Sequence, residues 1–230
     1  MQILTNIKDI RQRMSLVCEK MGKSSDSVQL LLATKMVSPE KIRIAVESGE
    51  TLLGENKVQE FALKNEALSD LKYQKHFIGH LQTNKIKDIV KYNVDCVQSL
   101  DSVELMQKLD QRYQSEGRSL DVMVQVNTSF EESKFGLDPK DVAAILKELR
   151  KYDTLKMKGF MTIGLFDADK EAVRLSYKRL KEISDMAISE GLIHPDSKEL
   201  SMGMSDDLEI AIEEGATIVR VGSAIFGARY

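Results

Sequence analysis

The sequence lacks the features that mark a metal site, a disulfide framework or a membrane span. It has three histidines and two cysteines in 230 residues, and no stretch approaches the roughly 20 apolar residues that a membrane-spanning helix needs. Cys18 and Cys96 stand in apolar surroundings, which is typical of buried thiols in a reducing compartment. Charges at Lys8, Asp9 and Arg11 interrupt any signal-peptide run near the start. We therefore expect a cytoplasmic protein without a membrane partner and without zinc or iron chemistry.

The sequence also has no large excess of positive or negative charge. Lys and Arg number 33 and Asp and Glu number 36, which gives a formal net charge of −3. The two signs are interleaved along the chain, as is typical of solvated helix surfaces. Nucleic-acid binding normally needs a basic excess on one face, so no nucleic-acid partner is expected. No linker rich in proline or glycine interrupts the chain, and we predict a single domain over residues 1–230.

Short apolar segments alternate with longer amphipathic segments from end to end. The run from Val28 to Thr34 is nearly all apolar, as expected for a parallel strand covered on both faces. Apolar residues at helical spacing predict a helix over 3–21, and Ser38-Pro39 can begin another. The predicted strands are 28–34, 51–53, 75–78, 94–98, 120–126, 155–163, 199–201 and 217–221, the second and seventh being weak. Further helices are predicted over 58–71, 84–92, 138–152, 169–190 and 206–214, and one more begins at 101.

About eight strands, each followed by a helix or by the chain end, indicate a particular architecture. Strands that alternate with helices require right-handed crossovers and a parallel sheet. With about eight such units, an α/β fold of the closed (β/α)8 TIM type, with an extra N-terminal helix, is favoured over an open doubly wound sheet. Active sites of such barrels lie at the carboxyl ends of the strands, so residues that follow predicted strands are the candidates.

Lys35 follows the first predicted strand and is the first candidate. An amine attacks an aldehyde only in its neutral form, and an apolar barrel mouth favours that form by desolvation. The alternative is a lysine that leaves the strand into water. Position alone favours this alternative, because polar strand ends are common.

The turns after the last two predicted strands are typical of a phosphate site. Gly222 and Ser223 can offer a close backbone N–H and a hydroxyl donor. The SMGMS segment, 201–205, supplies a second such turn before a helix. An ordinary turn after the last strand is equally consistent with these residues. Arg220, if buried here, needs a partner, and a ring nitrogen or an acidic side chain would both serve.

The histidines and methionines near the same rim carry less information. His76 and His80 can be packed or solvated residues, and together with His194 they make no convincing metal set. Met161 and the two methionines of the SMGMS segment are typical of an apolar wall, which is also compatible with packing a flat ring.

Seven segments together resemble the YggS/PROSC family of pyridoxal phosphate homeostasis proteins, across essentially the whole chain. Any one of them alone would be unspecific, whereas the set is highly specific. The segments are LLATKMVSPEKI, LGENKVQE, HFIGHLQTNK, VNTSFEESKFG, KGFMTIG, LSMGMSDD and VRVGSAIFG. The resemblance implies the fold of the N-terminal barrel of alanine racemase, the type III class of pyridoxal 5′-phosphate (PLP) proteins.

The same resemblance implies roles for individual residues. Lys35 of the ATK segment would hold PLP covalently as an internal aldimine, and Arg220 would face the pyridine nitrogen. Five further positions correspond to residues that contact the cofactor, namely Ser201, Gly222 and Ser223 at the phosphate and Asn56 and Met161 beside the ring. His80 inherits no role.

The function implied by the resemblance is PLP binding in intracellular vitamin B6 homeostasis and supply, with little or no turnover. Its partners would be PLP and PLP-dependent apo-enzymes that accept it, and the protein would be a monomer. An arginine that only donates keeps the pyridine nitrogen unprotonated, which makes the ring a poor electron sink.

Racemisation also needs an acid/base group on the opposite ring face. Alanine racemase takes it from a tyrosine of a separate C-terminal domain. We expect no such domain here, since the chain ends at Tyr230 directly after the last predicted strand, and nothing argues for Tyr230 as a substitute. A PLP-dependent amino-acid racemase and an aldolase-type barrel without a cofactor are the alternatives.

Overall fold

Eight parallel strands close into a barrel in a computed structural model that describes residues 2–131, 133–165 and 169–227. Each strand pairs with the next along the chain, and the first pairs with the last, which confirms the predicted (β/α)8 barrel. The strands are β1 Gln29–Ala33, β2 Leu52–Glu55, β3 Gln74–Phe77, β4 Cys96–Leu100, β5 Leu120–Gln125, β6 Leu155–Met161, β7 Glu199–Ser201 and β8 Ile218–Val221.

One helix precedes β1, one follows each strand, and the predicted extra N-terminal helix is thereby confirmed. They are α1 Gln2–Lys20, α2 Pro39–Glu47, α3 Val58–Lys64, α4 Ile86–Lys91, α5 Val103–Ser115, α6 Val142–Leu149, α7 Lys170–Ser189, α8 Leu208–Glu213 and α9 Ser223–Phe226. Several begin at the residues that the sequence indicates. Pro39 opens α2, the Ser102 hydroxyl accepts from Leu105 N at the start of α5, and the Asp169 carboxylate accepts from Glu171 N at the start of α7.

The alternation of side chains along each strand produces two apolar layers. In β1, Leu30 and Leu32 belong to the large layer between the strands and the helices, whereas Leu31 belongs to a small cluster inside the barrel. The other buried members of the inner cluster are Leu52, Ile78, Cys96, Met123, Met161 and Ile218. The continuous apolar run that predicted β1 is thus explained by burial on both faces.

The N-terminal helix is fixed to the barrel by apolar packing and by ion pairs at its flanks. α1 contacts α2, α8 and α9, with Ile10 and Met14 buried. Arg13 donates to both carboxylate oxygens of Glu209 at 2.6 and 2.8 Å, and Arg11 binds Glu50 in the same two-pronged way. Paired contacts of this kind fix orientation as well as distance.

Three predicted helices differ from those observed. The helix predicted over 58–71 ends at Lys64, whose ammonium is buried. The turns that follow are stabilised by Arg43, which donates hydrogen bonds to Ala67 O and to the Asp70 carboxylate. The helices predicted from 84 and 138 each begin with a short 3₁₀ turn. The four-residue α9 was not predicted, because it is too short to show a helical period.

No helix in the described ranges has the length and apolar character that crossing a membrane requires. No group of three His, Cys, Asp or Glu side chains among those residues is arranged to hold a metal ion.

Candidate functional site

The barrel mouth contains a cavity of about 340 Å³ at the carboxyl ends of the strands. Five of the seven residues predicted for the cofactor line it, namely Lys35, Asn56, Arg220, Gly222 and Ser223. They come from the ends of β1, β2 and β8, which the closed barrel brings together. The remaining lining residues are Ala33, Ile78, Ile163, Met204, Ser205, Asp206 and Asp207. The cavity therefore combines an amine, a guanidinium, an amide, two hydroxyls and two carboxylates with apolar walls, which is the make-up of a small-molecule site.

Lys35 lies in the turn that leaves β1, and its side chain is half-buried. The next residue, Met36, adopts a left-handed backbone conformation with φ of 59°. Such a conformation is uncommon for a residue with a side chain and needs support from its surroundings. Lys35 also borders a second cavity of about 200 Å³, which Lys41 lines as well.

A buried ionic cluster of residues from β2 and α3 binds the backbone of this turn. The Lys64 ammonium donates to Glu55 Oε1 at 2.6 Å, to Glu60 Oε2 at 2.7 Å and to Thr34 O at 2.7 Å. Glu60 Oε2 also accepts from Met36 N at 3.1 Å. The cluster thus binds the backbone on both sides of the candidate amine, and leaves the amine itself free.

The two carboxylates of this ionic cluster differ in their environments. Burial raises the pKa of Glu55, although the Lys64 ammonium and the Thr34 hydroxyl oppose the rise. One Glu55 oxygen, Oε2, is buried without a hydrogen-bond partner in the described part of the chain. Glu60 is more open. Partial burial acts against ionisation there, but hydrogen bonds from Lys64 and Met36 N prevail and lower its pKa.

Arg220 presents a buried guanidinium at the cavity wall. Its Nη1 donates to Ser201 Oγ at 2.9 Å and its Nη2 to Thr162 O at 2.8 Å. Within the described residues, no carboxylate lies within ion-pair distance of it. Burial lowers its pKa, against the influence of Tyr177 and Asp207. A buried cation held only by neutral acceptors has unused capacity for an anion or a ring nitrogen.

The turns after β7 and β8 meet at one side of the cavity. The hydroxyls of Ser205 and Ser223 are 3.5 Å apart. In the described part of the chain, no hydrogen bond is donated by the backbone N–H groups of Ser205, Ser223 or Ala224. A Cβ at Gly222 would lie 2.8 Å from Ala33 O, so the chain can pass here only without a side chain. Free backbone donors beside a glycine turn suit a phosphate.

Asp207 holds the SMGMS turn in shape. Its Oδ1 accepts from Met204 N at 2.6 Å, and its Oδ2 accepts from Tyr177 Oη at 2.8 Å. Burial and the neighbouring Asp207 carboxylate raise the pKa of Tyr177 far above the usual range. The phenol therefore stays protonated and donates to Asp207, which keeps this carboxylate engaged.

The structure does not bring the remaining two predicted residues to the cavity surface. Ser201 is fully buried, and its hydroxyl donates to Gln98 Oε1 at 2.6 Å while it accepts from Arg220. Met161 is fully buried in the inner apolar cluster. The hydroxyl that lines the cavity on the SMGMS turn is that of Ser205. Tyr230, considered above as an acid/base group, lies outside the described residues.

Two groups of residues at the site were not predicted from the sequence. The ionic cluster behind Lys35 has a detectable signal, because Glu60 and Lys64 stand four apart in a predicted helix. The pairing of Gln98 with the buried His76 has no sequence signal. His80, for which no role was predicted, stacks on Phe135 with ring centroids 3.9 Å apart, and it does not line the cavity.

The comparisons with known proteins agree on one family. The model of the alanine racemase N-terminal domain matches residues 5–230. The pyridoxal phosphate homeostasis protein of Aquifex aeolicus is 38% identical over 232 residues, which cover 100% of this chain and 99% of the relative. A crystal structure of an unknown protein from Bifidobacterium adolescentis is 35% identical with a TM-score of 0.91, over 98% of this chain and 94% of the other.

Two further solved structures extend the comparison. PipY of Synechococcus elongatus PCC7942 with PLP bound is 31% identical with a TM-score of 0.82, over 95% of this chain and 100% of PipY. Alanine racemase of Clostridium difficile 630 is 15% identical with a TM-score of 0.79, over 99% of this chain and 60% of the racemase. At that identity the racemase shows a shared fold only.

Proposed function

The chain belongs to the family of the alanine racemase N-terminal domain, and from that premise we propose that it binds PLP and serves intracellular PLP homeostasis. Full-length relatives carry the name pyridoxal phosphate homeostasis protein, and PipY has been solved with PLP bound. We propose further that Lys35 holds the cofactor covalently, and that the protein supplies PLP to acceptor apo-enzymes with little or no turnover of its own.

One observation carries the proposal. Five residues that the sequence resemblance assigned to PLP, from three separate strand ends, line one cavity of about 340 Å³. The groups present fit PLP. A primary amine is available for its aldehyde, and a guanidinium without an ion-pair partner among the described residues is available for its ring nitrogen. N–H and hydroxyl donors at the last two turns suit its phosphate, and the apolar side chains of Ile78 and Ile163 suit its ring.

When bound, PLP supplies an aldehyde that condenses with amines and a ring that can delocalise electrons. The protein's own contribution is then to hold the Lys35 amine at the mouth, to grip the phosphate with the turns at Ser205 and Ser223, and to face the ring nitrogen with Arg220. A guanidinium donates and does not give up its proton, so the ring nitrogen stays neutral. A neutral ring nitrogen is a weak electron sink, which favours binding over turnover.

Besides Lys35, the groups at the cavity wall that could move a proton are the carboxylates of Asp206 and Asp207. Asp207 is already held by Tyr177 and Met204 N, which favours binding over turnover. Among the described residues that line the cavity there is no histidine or tyrosine. The nearby Tyr177 is fully buried and its hydroxyl is engaged by Asp207. A cytoplasmic site of action is part of the proposal, since Cys18 and Cys96 are both buried free thiols, as expected in a reducing compartment.

The test is reductive trapping of the purified protein. After incubation with PLP and borohydride, we expect one added cofactor per chain at Lys35, located by peptide mass mapping, and a near-ultraviolet or visible absorbance band before reduction. Lys35→Ala should remain folded and lose both signals, because residue 35 lies at the rim and not in the core. Lys41→Ala is the matched control, since Lys41 lines only the neighbouring cavity, and it should retain both.

Turnover and transfer are measured separately. Amino acids incubated with the loaded protein in deuterated water should show negligible α-proton exchange, whereas an apo-enzyme mixed with the loaded protein should gain activity. Unmodified protein after reduction, with no absorbance band from retained PLP beforehand, would refute PLP binding. Exchange at an enzyme-like rate would refute the binding role and support a racemase.

A further inference from the structure

Four buried side chains form a continuous hydrogen-bonded chain through the barrel interior. Arg220 Nη1 donates to Ser201 Oγ at 2.9 Å, Ser201 Oγ donates to Gln98 Oε1 at 2.6 Å, and Gln98 Nε2 lies 2.7 Å from His76 Nδ1. The four residues stand on β8, β7, β4 and β3, so the bond between Ser201 and Gln98 crosses the barrel interior between two strands that are not neighbours. None of the four is more than 8% exposed.

The direction of every bond in this chain follows from the arginine. A guanidinium can only donate, so the Ser201 hydroxyl accepts from it and is free to donate its own proton to Gln98 Oε1. The amide nitrogen of Gln98 then faces His76 Nδ1 as a donor, and Nδ1 must accept. His76 is therefore neutral, with its proton on Nε2. Burial, together with the charge of Lys158, lowers the pKa of His76 to about 4, in agreement with this arrangement.

These four hydrogen-bonded polar side chains lie in a barrel interior that is otherwise apolar. The barrel interior is otherwise lined by an apolar cluster that includes Leu31, Met123 and Met161, and apolar residues would fill it without any need for hydrogen bonds. Of the four members, only Arg220 lines the mouth cavity. Gln98 and His76 lie behind Ser201, and the hydrogen bonds connect them to the cavity through Arg220.

We propose that Gln98 and His76 are positioning residues for Arg220, which set the orientation of its guanidinium toward the ring nitrogen of bound PLP. This inference rests on the proposed function and deepens it. Ser201 passes on the constraint, because donating its proton to Gln98 Oε1 turns the lone pairs of the hydroxyl oxygen toward Arg220. The second anchor, Nη2 on Thr162 O, fixes the plane of the guanidinium together with the bond from Nη1 to Ser201, so that its three remaining N–H groups lie in a defined plane.

The test compares PLP with its 1-deaza analogue, in which a C–H group replaces the ring nitrogen and the aldehyde and phosphate are retained. The wild-type protein should bind PLP more tightly than the analogue, because only PLP offers Arg220 an acceptor. Gln98→Leu should reduce this preference by roughly tenfold, the value of a hydrogen bond to a charged group, and leave affinity for the analogue unchanged. The absorbance maximum of bound PLP should shift in the same variant.

Variants at His76 provide the rescue control. His76→Gln keeps an acceptor that can face Gln98 and should retain most of the preference, whereas His76→Leu should behave like Gln98→Leu. These two variants also decide the matter if Gln98→Leu does not fold, as judged by circular dichroism. An equal loss of affinity for PLP and the analogue would overturn the positioning role, because it indicates damaged packing only.

Failure of the proposed function gives a different result. No trapping of PLP by the wild-type protein would end both proposals. Normal trapping with no preference for PLP over the analogue, or a preference that survives in Gln98→Leu and His76→Leu, would overturn the positioning role alone.

Discussion

The two cationic residues of the barrel mouth are supported in opposite ways. Lys35 is held through its backbone neighbours by a cluster of full charges, Lys64 with Glu55 and Glu60. Arg220 is held through its own guanidinium by neutral groups, with no carboxylate of the described residues in ion-pair range. The difference matches what each group is proposed to do. An amine that must form a bond has to keep its nitrogen free, whereas a guanidinium that only orients a ring benefits from being fixed.

The largest expected effect is on the unfolding free energy, and it comes from the ionic cluster of Lys64, Glu55 and Glu60. Lys64→Met leaves Glu55 and Glu60 without their shared cation, and removing one partner of a buried pair costs about 3–5 kcal/mol of unfolding free energy. Urea unfolding measures the loss. Adding Glu55→Gln to Lys64→Met should recover part of it, because the buried charge is then removed as well.

The matched control is Lys181→Met, which breaks an exposed pair with Asp185 at the same four-residue spacing. Its cost should stay below about 1 kcal/mol. Equal costs for Lys64→Met and Lys181→Met would contradict the view that the buried cluster supports the turn at Lys35.

The next effect concerns the neutral groups linked to Arg220, and it is a dependence of the unfolding free energy on pH. Burial and the charge of Lys158 lower the pKa of His76 in the folded chain to about 4, whereas the pKa of a histidine in the unfolded chain lies near 6.5. As the pH falls through this window the unfolded chain binds the proton and the folded chain does not, so stability falls, by roughly 3 kcal/mol in total. Above pH 6.5 both states are neutral there and the effect vanishes.

The measurement is chemical denaturation at several pH values in that window, for the wild-type protein and His76→Gln. The difference between their unfolding free energies should change between pH 6.5 and 4 and level off below. A constant difference would show that His76 is protonated in the folded chain or exposed to solvent.

The smallest predicted effect is on PLP affinity, and it concerns the turn at Gly222, which lines the cavity together with Lys35 and Arg220. A Cβ at Gly222 would lie 2.8 Å from Ala33 O, so Gly222→Ala must displace the turn that offers donors to the phosphate. We expect roughly tenfold weaker PLP binding, the value of about one charge-assisted hydrogen bond. Pyridoxal, which lacks the phosphate, should be trapped at Lys35 as before. A loss for pyridoxal as large as that for PLP would place the damage at the amine and not at the phosphate.

Much of the fold could be predicted because its signals are local. The apolar run at Val28–Thr34 and the glycine turn after Arg220 are visible in the sequence, and the structure has β1 and β8 there. The end of α3 at Lys64 could not be predicted, because the turns that follow it are held by Arg43 of α2, which is distant in the chain. The position of Ser201 beneath the cavity likewise depends on its partners on other strands.

The sequence by itself determined the alternation of strands and helices and the placement of Lys35, Arg220 and Gly222 at strand ends, since periodicity and turn chemistry act over a few residues. Only the tertiary structure decided which side chains meet. Closure of the barrel brings β3, β4, β7 and β8 to face one another across its interior, and strand register sets which residue of each points inward. The link from His76 through Gln98 and Ser201 to Arg220 exists for that reason, since no local pattern could specify contacts between strands so distant in the chain.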